Sequence, residues 1–374
     1  VSGHVDWRPG ADITRAELPP PGWYADEEVF ARARERVFAR SWQWVGDTRL
    51  AANAGDVVPF TLLEGCLDEP LLLTNDGTRR HALANVCTHR AMALASAPTN
   101  ARGLRCPYHG RRFTLDGRFV SSPGFEGAVD FPRRSDDLAR AHLGAWAGQS
   151  FVALDPEHDF AAFTAPLVAR LAHVPLERAV HVPERDREFV FDAPWALYVE
   201  NYLDGLHVPY LHASLNAAID WSAYTYDLWD GGAWQIADAR PGDPCFEQPP
   251  GHPEHGRRVA AFYAMVFPNL MVNVYPYGVS LNLVRPLGPR RTAVRFATYA
   301  FDTSLMSQGA GADLDRVERE DEFAVVRVAR GAASRLARAG RYAPRHETAL
   351  FHFHRWLTRT VSDGMRRLAS RRGR

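Results

Sequence analysis

Two pairs of residues in this chain have the types and spacing to hold a redox metal. They are Cys87-Thr88-His89 and, after sixteen intervening residues, Cys106-Pro107-Tyr108-His109. Each pair joins a soft thiolate to an imidazole. Two cysteines and two histidines form the ligand set of a two-iron, two-sulfur cluster in which histidines replace cysteines on one iron. A neutral imidazole brings no charge where a thiolate would bring one, so such a cluster holds an added electron more readily. Tetrahedral zinc accepts the same four ligands. The common zinc arrangement groups cysteines with cysteines and histidines with histidines, whereas each pair here is mixed. Pro107 and Gly110 favour the tight turn that a ligand loop requires.

A second constellation lies in the run Glu200-Asn201-Tyr202-Leu203-Asp204-Gly205-Leu206-His207-Val208-Pro209-Tyr210-Leu211-His212. An iron that must bind oxygen needs few protein ligands and open positions, which two histidines and one carboxylate on one face provide. His207 and His212 are out of phase for one regular helix, where same-face neighbours fall three or four apart. Pro209 is expected to break the helix between them and re-aim the second ring. Taken alone, the two read first as ordinary histidines near a helix end. Helical phase suggests a carboxylate. From Leu314 at about 100° per residue, Leu314, Val317, Val325 and Val328 share one stripe with Asp321 in its middle and Glu318 at its edge. An acid among apolar neighbours needs a cation, either a metal ion or one of the many arginines. Asp321 is the expected third ligand, with Glu318 in reserve.

The elements that must position these residues change character along the chain. A polar arm marked by Pro19-Pro20-Pro21-Gly22 leads into a short helix spaced by Phe30, Ala33, Arg34, Val37 and Phe38. Between about 50 and 155, short strands alternate with turns. They are expected at 57–63, 70–75, 82–86, 118–120 and 150–154, with hairpin signals at Asp76-Gly77 and Asp116-Gly117. Both ligand pairs then fall on loops. Beyond 155 the pattern is mixed: a strand at 187–192, a helix at 196–210, and consecutive antiparallel strands at 259–267, 270–275, 279–285 and 292–301. Helices are expected at 314–339 and 347–368, followed by a frayed basic tail at 371–374. Trp221, Tyr224, Tyr226, Trp229 and Trp234 suit either a hairpin core or a cage for a flat ring or an ammonium group. His346, His352 and His354 are expected to pack around the last helix or lie on the surface.

Composition sets outer bounds. The chain has 374 residues, 46% hydrophobic and 24% charged, with formal net charge +0, enough to bury a sizeable core and with no bias toward nucleic acid or an acidic membrane. Every basic side chain other than histidine is arginine. The cluster would use two of the four cysteines; Cys66 and Cys245 read as small buried hydrophobes rather than a disulfide. No apolar run approaches the ~20 residues needed to span a bilayer, and no signal-peptide pattern is visible. A reducing cytoplasm is the expected compartment.

Asn85-Val86-Cys87-Thr88-His89-Arg90 and Cys106-Pro107-Tyr108-His109-Gly110 resemble the two ligand loops of the Rieske domain in ring-hydroxylating oxygenases. The 200–212 run is similar to the mononuclear-iron motif of their catalytic subunits, and Glu318-Arg319-Glu320-Asp321 resembles the segment carrying the third ligand. The resemblance covers essentially the whole chain. It implies an α+β fold: a small antiparallel β Rieske domain and a catalytic domain with a curved antiparallel sheet flanked by helices. The implied division is an N-terminal arm and helix (1–49), a Rieske [2Fe-2S] domain (50–155) and a mononuclear-iron domain (156–374).

It further implies a [2Fe-2S] cluster on Cys87, His89, Cys106 and His109, and Fe(II) on His207, His212 and Asp321. Asp204 is implied to bridge that iron to a cluster histidine of a neighbouring subunit in a homotrimer or a multiple of it. Asn201 either orients a ligand or water or satisfies backbone groups. The implied partners are a ferredoxin and/or flavin-dependent reductase, O2 and a small organic substrate. The layout is closer to the choline- and carnitine-monooxygenase-like branch, which favours hydroxylation or oxidative demethylation. The alternatives are an aromatic-ring dioxygenase, a Rieske electron-transfer protein without oxygenase activity, and a zinc-stabilised binding module. Two positions depart from the pattern: Ala91, where glycine is common, and Arg111, where an aromatic residue is frequent.

Overall fold

The computed structural model describes residues 6–362, so the expected basic tail and the end of the last helix lie outside the described residues. The chain divides into two compact units, Ala39–Phe160 and the described residues on either side of it.

In Ala39–Phe160 seven antiparallel strands form one sheet, in the order Gln43–Asp47, Gln149–Ala153, Arg140–Trp146, Arg80–Ala84, Glu69–Asn75, Asp56–Leu62 and Thr99–Asn100. Three short strands, Leu104–Arg105, Arg112–Phe113 and Phe119–Ser121, form a second sheet. The turn at Asp76-Gly77 joins Glu69–Asn75 to Arg80–Ala84, with the Asp76 carboxylate accepting the Thr78 and Arg79 N–H groups at 2.8 and 2.9 Å. Gln43–Asp47 and Arg140–Trp146 were not expected. Gln43–Asp47 pairs with Gln149–Ala153, far along the chain, whereas Arg140–Trp146 forms a hairpin with that same strand, which follows it immediately, and pairs through Arg140 and Ala141 with Arg80–Ala84. Cys87 and Cys106 belong to the core of this unit, packed with Val57, Leu72, Leu83, Leu104 and Phe113. That burial anchors both ligand loops.

The second unit is built on an eight-stranded antiparallel sheet. Val180–His181, Thr292–Ala300, Gly278–Pro286, Leu270–Tyr275, Val259–Val266, Gly232–Ala239 and Ile219–Trp229 follow one another, and Arg187–Phe191 also pairs with Thr292–Ala300. Register shifts at Asp220/Thr225 and Ala237/Asp238 bend the sheet, as bulges do. Every residue of Val259–Val266 and Leu270–Tyr275 is buried, so these strands read as continuous apolar runs, covered on both faces. The helices Trp195–Leu203, Leu314–Ala332 and Thr348–Ser362 flank the sheet. The first helix, Glu27–Arg36, is capped by Asp26, whose carboxylate accepts the Glu28 and Val29 N–H groups. Among the described residues no helix is long and apolar enough to cross a membrane.

Three expectations about helices need correction. The break in the 196–210 stretch falls at Asp204-Gly205, not at Pro209. The helix ends at Leu203, Asp204 caps a single 3-10 turn by accepting the Leu206 N–H at 2.7 Å, and Pro209 sits in the first turn of Val208–Leu211. Proline fits there because a first-turn N–H has no helical partner to lose. Leu314–Ala332 stops seven residues short of the expected end at 339. Its apolar stripe is also shorter, since Val328 is 53% exposed while Val325 is buried.

Candidate metal centres

The two ligand loops of the first unit have the same backbone. The Cys87 N–H donates to Met92 O and the Ala91 N–H to Cys87 O, both at 2.9 Å; the Cys106 N–H donates to Arg111 O at 2.8 Å and the Gly110 N–H to Cys106 O at 3.1 Å. In each loop the residue four after the cysteine is left-handed, Ala91 at φ 55° and Gly110 at φ 73°. The Ala91 departure therefore falls on a position where glycine is conformationally cheapest. Asn85 braces the first loop, accepting the Leu94 and Ala95 N–H groups and donating to Ala95 O.

These loops bring both pairs together. Cys87 and Cys106 are buried and hydrogen-bonded to each other, and the His89 and His109 rings lie 4.7 Å apart at the half-buried edge. The buried His89 Nδ1 has no hydrogen-bond partner, as suits an atom meant for a metal. Burial pushes the Cys87 thiol up. Burial also acts on Cys106, but the Tyr108 and His109 N–H groups and the Arg111 charge hold it below the ordinary thiol value. Burial and then the His109 and Arg111 charges keep His89 down, favouring the neutral ring that binds metal. The donor set fits the cluster.

In the second unit, His207 Nε2 lies 3.1 Å from His212 Nε2, and Asp321 Oδ1 lies 2.9 Å from His212 Nε2 and 3.6 Å from His207 Nε2. Imidazole and carboxylate donors sit ~2.1 Å from a first-row ion, so donors at right angles stand ~3 Å apart; the observed spacing fits one shared ion. Among the described residues this is the one group of three or more His, Cys, Asp or Glu side chains so placed. Glu318 is not part of it. It is the more deeply buried acid, 8% exposed, with its pKa pushed well up by burial and then by the Asp321 charge.

The surroundings orient the donors. Asn201 Nδ2 donates to Asp321 Oδ1 at 2.6 Å. Glu320 Oε2 pairs with His212 Nδ1 at 2.9 Å and is held by Arg316. Burial opposes the charged ring of His212, yet its hydrogen bonds to Asp321 and Glu320 keep its pKa above the ordinary 6.5. Asp204 Oδ2 stands 3.6 Å from His207 Nδ1, a buried atom with no hydrogen-bond partner. Sequence reasoning gave Glu320 no role; its one signal was adjacency to Asp321.

A cavity opens beside this group, lined by Tyr202, Tyr224, Tyr263, Tyr275, Asn273 and Glu318 among others. Among the described residues no arginine lines it. Of the five aromatics expected as hairpin core or cage, Tyr224 alone reaches the cavity. Trp221 bonds Gly205 O and stacks on His346, and Trp229 packs on Trp234. The other cavity tyrosines come from the Trp195–Leu203 helix and from distant strands buried on both faces, where sequence gives no sign of which face meets a pocket. His354 is buried between the Tyr24 and Tyr342 hydroxyls, a packing role, and His352 bonds Trp229 O.

Residues 176–363 match the family model described as Ring hydroxylating alpha subunit (catalytic domain), and residues 41–132 match the Rieske [2Fe-2S] domain. Choline monooxygenase, chloroplastic, of Arabidopsis thaliana is 31% identical over 94% of this chain and 84% of its own length. The chain belongs to the Rieske-type oxygenase catalytic-subunit family. Putrescine 2-hydroxylase of Ralstonia nicotianae is 25% identical over 91% of this chain and 95% of its own. A crystal structure of a quaternary ammonium Rieske monooxygenase shares the fold, with TM-score 0.74 and 21% identity over 93% of this chain and 96% of that one. The oxygenase thus carries a Rieske [2Fe-2S] cluster and a non-haem iron, and works with electron-transfer partners, O2 and an organic substrate. The catalytic-domain match sets aside the electron-carrier and zinc-module alternatives, and the named curated relatives, a monooxygenase and a hydroxylase, fit the main reading rather than a ring dioxygenase.

Proposed function

We propose that this oxygenase hydroxylates or oxidatively N-demethylates a small alkylammonium compound. The observation that carries the reading is the chemistry of the cavity: tyrosine faces, the buried Glu318 carboxyl, and no arginine among the described residues. Aromatic faces attract ammonium groups. A cation beside Glu318 offsets the desolvation that otherwise pushes its pKa up. The names of the relatives, which concern choline, putrescine and quaternary ammonium compounds, agree with this chemistry.

Residue roles follow. Cys87, His89, Cys106 and His109 hold the cluster; His207, His212 and Asp321 hold the iron. When bound, the two centres supply single electrons and an open coordination face for O2. Asn201 fixes the Asp321 oxygen, Glu320 fixes the His212 ring, and the tyrosines orient the substrate and exclude water. Burial raises the Tyr202 and Tyr224 pKa values well above normal, so their hydroxyls remain neutral donors. Residues 50–155 serve electron entry and 156–374 catalysis. A cytoplasmic homotrimer receiving electrons from a ferredoxin or flavin-dependent reductase completes the reading, with Asp204 linking His207 to the neighbouring subunit's cluster.

The test is turnover of a trimethylammonium alcohol, a primary diamine and a neutral tert-butyl isostere of the first. Wild type should consume O2 productively with the cations, and Glu318→Gln should lose about tenfold or more in kcat/KM for them. Equal turnover of the neutral isostere, or no loss in Glu318→Gln, would remove the cation reading. Mixing a cluster-ligand variant with His207→Ala should restore activity only if electrons pass between subunits.

A further inference from the structure

Arg111 is 1% exposed, and the roles above do not use it. Three phenyl rings surround its guanidinium, Phe119 at 5.3 Å, Phe125 at 4.8 Å and Phe131 at 5.3 Å. Its Nη1 donates to Thr88 Oγ1 at 3.0 Å and to the Asp136 carboxylate at 3.1 Å, and its Nε to Ser122 Oγ at 3.3 Å. Thr88 stands between Cys87 and His89, and its hydroxyl donates to Asp136 O at 2.8 Å. The backbone carbonyl of Arg111 closes the other loop by accepting the Cys106 N–H. One residue therefore ties the side chain of the first ligand loop to the backbone of the second.

Burying a guanidinium costs several kcal/mol before its partners compensate, and three phenyl rings could enclose a neutral side chain without that cost. The charge cannot be shed, because arginine stays protonated in proteins. Its neighbourhood is poor in water, so its field is weakly screened. Taking one electron from a donor makes the cluster site one unit more negative. A fixed cation beside both loops stabilises that reduced form over the oxidised one. The Asp136 carboxylate, 3.1 Å from Nη1, partly neutralises that charge.

We propose that Arg111 is a built-in electrostatic regulator of the cluster, its cation raising the reduction potential and its ion pair with Asp136 moderating the rise. The inference rests on Cys87, His89, Cys106 and His109 being the cluster ligands.

The experiment is a mediated redox titration of the full-length holoprotein at fixed pH and ionic strength, followed by cluster absorbance. Iron and labile sulfide are measured in each sample. Arg111→Met should lower the reduced-to-oxidised ratio at a given applied potential about tenfold, ~59 mV for one electron. Asp136→Asn should raise the ratio, and Arg111→Lys should stay close to wild type. Opposite signs are the signature, since simple damage to packing moves both variants the same way. Shifts of the same sign, or ratios within about twofold of wild type, would overturn the proposal. Should Arg111→Met assemble no cluster, Asp136→Asn decides: an unchanged or lowered ratio is fatal. A wild-type protein without the spectrum of a histidine-ligated cluster would instead refute the ligand assignment.

Discussion

Replacing Asn201 by alanine removes the amide that donates to Asp321 Oδ1 at 2.6 Å, and its cost can be worked in two ways. A hydrogen bond to a charged acceptor contributes about 1.5–3 kcal/mol, and 1.4 kcal/mol is a factor of ten. Loss of a group that orients a metal ligand typically lowers affinity about 10–100-fold. The two ranges overlap. The Asp321 side chain is 16% exposed, so water recovers part of the lost bond, and the expectation is about 10–30-fold weaker binding. Glu320→Ala should cost about tenfold, because it frees the His212 ring while Arg316 also loses its partner. The assay starts from cluster-intact protein stripped of its mononuclear metal and titrates Fe(II) anaerobically against a chromophoric chelator. Unchanged cluster absorbance shows that the fold survives. An Asn201→Ala protein that binds within about twofold of wild type would refute the idea that this amide holds the carboxylate for metal.

Other outcomes follow from the same geometry. Wild type should hold about three irons and two sulfides per chain, and His207→Ala and Asp321→Ala should each lose one iron with the visible spectrum unchanged; two irons in all three proteins would remove the assigned site. Metal affinity at this site should rise with pH. The His212 pKa lies above 6.5 in the metal-free protein, its ring must lose a proton to bind, and calorimetry in buffers of different ionisation enthalpy should detect the release. In the metal-free protein the sign reverses: the raised His212 pKa stabilises the fold below the unfolded value and that benefit fades as pH climbs through the folded one. Ala91→Val should cost about 1–2 kcal/mol and reduce cluster content, because a β-branched residue resists φ 55°, whereas Ala91→Gly should leave both intact; equal thermal midpoints would contradict this.

What the sequence made legible follows the range of the physics involved. Cluster chemistry is local, so the two mixed pairs and the glycine-like positions after them could be read directly. Strands whose neighbours follow in sequence, such as Leu270–Tyr275, were placed to within a residue or so. Gln43–Asp47 was missed because its partner Gln149–Ala153 is far away in the chain, whereas Arg140–Trp146 was missed although it forms a hairpin with the next strand, because its alanines and glycine carry little strand signal. Helical phase singled out Asp321 but overran, since a periodicity argument does not know where the covering helix Trp195–Leu203 ends and leaves Val328 in solvent. Pro209 misled for a related reason: a proline marks a boundary, and the boundary can lie before it. Arg111 stood out as a departure, yet its meaning needed Phe119, Phe125 and Phe131, which only the fold gathers.

The separation of the proposed iron ligands has a mechanical side. His212 and Asp321 are 109 residues apart in the chain, and nearly the whole sheet lies between them. An ion shared by them is a cross-link closing a very long loop, and a permanent tie of that length restricts the unfolded chain by an amount worth ~4–5 kcal/mol. Nutrient supply then becomes a folding variable: in an iron-starved cell, this chain would lose a staple as well as a reagent. The helix carrying Asp321 has a largely solvated outer face, with Phe323 and Val328 exposed, and is the element whose hold on its packing partner, the helix Trp195–Leu203, would slacken first.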